Sequence, residues 1–138
     1  MNRAIAWHLG GALAVAVLAA ALYLPFLGNP LVFDDRIFFS GRLFTYYATH
    51  PLGLDLRLPA YFSLVATEVL AGSIAAHRSV SLILHVACAI ALYRLLAAML
   101  RAAAPQRREA DVALCAAIVA GAFALHPVAV YGAAYLVQ

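Results

Sequence analysis

The sequence is poor in charge, and it contains no lysine. Charged residues make up 11% of its 138 positions, where a soluble domain carries about 25%. Apolar residues make up 67%. That balance excludes an ordinary soluble domain and points to lipid as the solvent. All nine basic residues are arginine, and the net charge of +3 is small and scattered, which excludes a nucleic-acid partner. Cysteine is nearly absent. Cys88 and Cys115 both sit inside apolar runs, at no metal spacing, and read as small hydrophobes. As residues of neighbouring helices they lie at different depths, about 18 Å and about 5 Å from the helix ends nearest residue 101, so no disulfide is expected. There is no internal repeat and no low-complexity segment.

What the chain does have is long apolar runs. The first covers 4–27, with no charge after Arg3, and spans about 36 Å as a helix. A cleaved signal peptide would turn polar after Ala19–Ala21; this run continues through Leu22, Tyr23, Leu24 and Phe26. Pro25, Gly28 and Pro30 end it. A mixed segment follows, 28–78, whose aromatics Phe38, Phe39, Phe44, Tyr46 and Tyr47 suit a membrane interface. Within it, 58–76 reads as an amphipathic interfacial helix, with Leu58, Phe62, Val65 and Val69 on one stripe and Glu68 interrupting. A second span is expected over 79–100, a charged loop over 101–111, and a third span over 112–126. His126-Pro127 breaks that last run, because proline lacks an N–H and disfavours helix in the residue before it. Residues 127–138 then form a last segment on the far side.

Arginine bias sets the orientation. Arg101, Arg107 and Arg108 place the 101–111 loop in the cytoplasm together with Arg3, which requires an even number of crossings between them. The helix at 58–76 therefore should not cross. The segment with Asp34 and Asp35 falls on the outer side, periplasmic if the membrane is a bacterial inner membrane.

The acidic pair in "VFDDR", the arginine opening "RLPAYFSLVATEVLAG", the helix "SLILHVACAIALYRLL" and the ending "FALHPVAVYGAAYLVQ" occur in an order that is similar to a known family. The chain resembles the amino-terminal part of the polytopic glycosyltransferases of the GT-C fold, and most closely the transmembrane-and-TPR O-mannosyltransferases and their bacterial relatives. It departs from them at Ser81, where the family often has asparagine, and at Arg57-Leu58-Pro59, where the family often has Arg-Pro-Leu. The resemblance implies transfer of a sugar from a polyprenyl-phosphate donor to a protein or glycan hydroxyl at the outer membrane face. It also implies that the family continues beyond Gln138 with further helices, so that this chain is expected to be inactive alone.

Asp34 and Asp35 are the catalytic candidates, with Asp35 favoured by analogy with the family's outer-loop acid. A carboxylate base assists hydroxyl attack on an anomeric carbon, and a carboxylate can also hold a divalent cation against the donor phosphate. The pair equally fits a capping turn before a helix starting near Arg36. Arg36 and Arg57 are candidates to meet the lipid phosphate, beside Arg42 and Arg78, since arginine pairs bidentately with phosphate. His85, inside a span, and His126, at the end of the third run, complete the set. The expectation is an all-α integral membrane protein: three spans, an outer loop with an interfacial helix, and a partial GT-C module. The rival is a small non-catalytic subunit packing against a larger membrane complex, for which Gly10 and Ala14 supply a close-approach face.

Overall fold

Each long helix starts and stops where its residues require. The computed structural model describes residues 3–30, 34–50 and 56–129, apart from the side chains of 34, 35, 40 and 129. Helix α1, Arg3–Tyr23, runs until Pro25 enters, and a 3₁₀ turn, Leu24–Phe26, closes it. Two short helices follow, α2 at Asp34–Ser40 and α3 at Arg42–Thr49. Helix α4, Leu58–Ala71, opens with proline in its first turn, where the missing N–H costs nothing. It ends at Gly72, whose φ of +55° is left-handed and favours glycine. Ser73 immediately starts the next helix, its hydroxyl accepting from the Ala76 N–H at 3.2 Å. That helix is α5, Ile74–Ala103, and a tight turn leads to α6, Glu109–Leu125. No strand occurs among the described residues.

Helices α1, α5 and α6 pack together as a three-helix bundle. Its interior is mostly alanine: Ala19, Ala89, Ala97, Ala116, Ala120 and Ala124, joined by Val15, Tyr93 and Val112. The large apolar side chains point outward, among them Leu13, Val17, Ile83, Leu95 and Ile118, each more than half exposed. In water that exposure forgoes about 25 cal/mol for every Å² left unburied. In lipid it costs nothing, and small interior residues let the backbones approach. Two helical segments, Arg3–Phe26 and Ile74–Ala103, are long and apolar enough to cross a membrane.

Gly11 shows how tight the bundle is. A Cβ there would stand 2.8 Å from the Tyr93 hydroxyl, so only glycine lets that ring lie against α1. The hydroxyl meets His8 Nδ1 at 2.9 Å. Arg101, in the last turn of α5, makes a bidentate pair with Glu109, in the first turn of α6. Each charge there also complements its helix dipole. These contacts close what we term the arginine-rich end.

The opposite, loop end carries a second layer. Phe38 of α2 stacks on Tyr61 of α4 with ring centroids 5.1 Å apart, and Tyr47 of α3 lies 4.7 Å from the same ring. Leu64 and Val65 complete this cluster.

Several boundaries differ from expectation. The amphipathic helix stops at Ala71 rather than residue 76, because Gly72 and Ser73 end one helix and begin another. The second long helix starts at Ile74 rather than Ser79, so His77 and Arg78 belong to its first turns and not to the loop. The buried stripe of α4 is Tyr61, Leu64 and Val65, whereas Phe62 and Val69 of the expected stripe are exposed. The aromatic cluster recruits Tyr61 and thereby rotates the helix. The segment 28–57 also holds two helices, where a mixed loop was expected. Of 127–138, only the 3₁₀ turn Pro127–Ala129 falls within the described residues.

Candidate functional site

The start of α5 ties the two layers together. Arg78 is only 3% exposed, and its guanidinium donates to the Phe26 carbonyl and the Pro30 carbonyl, both at 2.9 Å. Both acceptors lie beyond the end of α1, and the Phe26 carbonyl also accepts the Asn29 N–H at 3.2 Å. One planar fork thus fixes the departure of the chain four residues before Asp34. Its Nε has no partner.

The preceding residue, His77, is 2% exposed and donates from Nε2 to Glu68 Oε2 at 2.8 Å. Glu68 is on α4, so this bond spans the Gly72–Ser73 turn and sets the angle between α4 and α5. Phe39 of α2 packs against the imidazole, with ring centroids 4.8 Å apart. The other ring nitrogen, Nδ1, is buried without a partner. Two adjacent residues of α5 therefore hold both the chain between Phe26 and Pro30 and helix α4.

A third connection closes the bundle at this end. Pro127 forces His126 out of helical geometry, to ψ of 135°, and α6 stops. The Ala124 carbonyl then loses the partner that Val128 N–H would have been; that N–H is directed to His126 Nδ1 instead, at 3.2 Å. Two side chains replace it. Tyr23 donates its hydroxyl at 3.2 Å and His85 donates Nε2–H at 3.0 Å, filling both lone pairs of one oxygen. The two rings meet edge to face at 5.5 Å.

The residues expected at the site separate into two groups. Asp34 and Asp35 form the first positions of α2, within the helix rather than ahead of it, and their side chains lie outside the described residues. Arg36, the next residue of α2, is exposed, and Arg57 is exposed at the N-cap of α4. The Phe38–Tyr61 stack puts these two helices in one layer. His85 and His126 belong instead to the end of α6, where His85 is committed to the Ala124 carbonyl and His126 to the local turn. Arg78, expected as a candidate for the lipid phosphate, is instead buried and committed to the Phe26 and Pro30 carbonyls, and His77 and Glu68, which the sequence did not put forward as site residues, hold the layer beside it. Among the described residues, no three His, Cys, Asp or Glu side chains converge as a metal ion would need. Cys88 and Cys115 are unpaired and exposed on the bundle's outer surface. No family model, curated protein or solved structure matches the chain.

Proposed function

We propose that this chain is a membrane module of a GT-C-type glycosyltransferase, with three crossings and the loop end on the outer face. It would move a sugar from a polyprenyl-phosphate donor to a protein or glycan hydroxyl. The observation that carries the reading is the Arg78 fork. A buried guanidinium spent on two backbone carbonyls is a strong device for a surface segment, and it holds the chain at Pro30, four residues before Asp34. Catalytic groups need such preorganisation, since small displacements of a base from its target lower the rate steeply.

In this reading the acceptor hydroxyl attacks the anomeric carbon while Asp35 removes its proton. The bond to the phosphate oxygen breaks, and the polyprenyl phosphate leaves with the electron pair. Asp34 orients the segment. Arg36 and Arg57, on the two helices joined by the Phe38–Tyr61 stack, meet the donor phosphate. The arginine-rich end lies in the cytoplasm, as the arginine bias requires.

The test uses the native full-length protein in membranes, with Asp34→Asn and Asp35→Asn made separately. Loss of a general base lowers transfer by about 10²–10⁴-fold. If neither change lowers it by about tenfold while both proteins reach the membrane folded, the pair is a structural helix start and the catalytic reading fails.

One observation favours the subunit reading. Gly10 and Ala14 are exposed on one face of α1, and a Cβ at Gly10 would meet nothing within 4 Å. A partner helix fits there. Gly10→Leu would release such a partner on purification and leave a solitary enzyme unaffected.

A further inference from the structure

A groove of about 540 Å³ runs between α1 and α5 at the arginine-rich end. Its floor is small, with the buried Ala97 and half-buried Ala12, and apolar Ile5, Leu9, Ile90 and Ala98 complete its lining. Two guanidinium groups line the same groove, Arg94 and Arg101, two helical turns or about 10 Å apart on one face of α5.

Their charges are not equivalent. Arg101 is neutralised by Glu109 and reaches His8 Nε2 at 3.0 Å, which leaves His8 Nδ1–H to donate to Tyr93. A proton on Nε2 would turn that nitrogen toward Glu109 instead, at 3.3 Å. Arg94 is exposed and makes no ion pair among the described residues. It sits about 13 Å from the end of α5 at Ala103, a depth at which an unpaired cation in a bilayer is costly even when it snorkels. The surrounding charge offers no relief. Arg3, Arg94, Arg101, Arg107 and Arg108 lie at this end against Glu109 and Asp111.

We infer that this groove holds one anionic phospholipid from the leaflet at the arginine-rich end, its acyl chain on the alanine floor and its phosphate on Arg94. The apolar trough selects an alkyl chain, and the uncompensated guanidinium selects an anion. One molecule meets both demands only as an amphiphile with a negatively charged head. A packing helix without an acid of its own would bury Arg94 unneutralised, and a zwitterionic lipid would leave the net charge in place. The site lies at the opposite end from the acidic segment. It rests on the bundle being in a bilayer and not on the transferase reading, so the two fail separately.

The test places the native protein in phosphatidylcholine vesicles with trace spin-labelled phosphatidylglycerol or phosphatidylcholine, and reads the motionally restricted fraction of each. Phosphatidylglycerol should be favoured about fivefold, the factor that one arginine near a membrane surface confers. Arg94→Gln should bring the ratio close to one, while Arg94→Lys, which keeps the charge, retains a preference. Excess inorganic phosphate should leave the label in place, since it lacks the chain that fills the trough. Equal retention of the two labels overturns the proposal. So does an unchanged ratio in Arg94→Gln, equal loss in both variants, or displacement by phosphate alone.

Discussion

Replacing Arg78 by methionine keeps the length of the side chain and removes every donor. Two charge-assisted bonds are lost, to the Phe26 and Pro30 carbonyls, each worth about 1.5–3 kcal/mol when one partner is deleted. The gross loss is about 3–6 kcal/mol. Two effects reduce it. A guanidinium that is 3% exposed has forgone most of its hydration, a penalty of several kcal/mol that the apolar variant escapes. Phe26 and Pro30 are themselves exposed, so water can rejoin their carbonyls when the fork is gone. The net cost should be about 1–3 kcal/mol, and it should be local. The three-helix bundle keeps its alanine core, while 27–50 opens about 5- to 150-fold more often. Trypsin is a suitable probe, because Arg36 and Arg42 lie within that segment and cleavage of a transiently open form tracks its population. Arg78→Met should accelerate both cleavages by that factor without a matching change in the helical melting curve. Arg78→Lys offers a point donor to one carbonyl at a time and should fall between. Unchanged cleavage at Arg36 and Arg42 would refute the idea that this side chain fixes the segment.

Other outcomes follow from the bundle. Gly11→Ala gains about 1 kcal/mol of helix propensity but drives a methyl into the Tyr93 ring, an overpacking cost of about 1–3 kcal/mol, whereas Gly10→Ala meets open space and should stabilise. Denaturant unfolding in mixed micelles should give shifts of opposite sign, and shifts of the same sign would refute the tight Tyr93 contact. Tyr23→Phe and His85→Phe should each cost about 1 kcal/mol, since the other donor still serves the Ala124 carbonyl. The double variant should cost more than the sum, because that buried oxygen then has no partner; strict additivity would contradict a shared acceptor.

The bundle was legible because its evidence is one-dimensional. A run without charge or proline sets α1, and a proline-free run interrupted only by Arg94 sets most of α5. The loop-end layer was not, since α2 and α3 are too short for propensity to stabilise them alone and exist through rings on other helices. Tyr61 looked no different in sequence from Phe62; only the position of Phe38 decides which is buried. Glu68 read as a flaw in an apolar helix, yet its partner His77 lies nine residues on, beyond a turn that Gly72 and Ser73 signal plainly as a helix stop followed by a helix start. Arg78 read as a partner for lipid phosphate, and no sequence signal points to its real acceptors, because they are backbone carbonyls of residues whose side chains are irrelevant to the contact. Pro127 announces that α6 must end. Which donors cover the freed carbonyl depends on how three helices meet, and pattern alone cannot supply that.

Helix α5 joins two clamps on one rod. Arg78 near its beginning and Arg101 near its end are separated by about 35 Å along the axis, while a typical hydrocarbon core is about 30 Å thick. With α5 across a bilayer, each guanidinium stands close to a lipid–water boundary, and the rod cannot shorten. Thinner membranes tilt it, and thicker ones draw one arginine toward hydrocarbon. With α5 across a bilayer, acyl-chain length would therefore act on the Phe26–Pro30 anchor and on the Glu109 pair together.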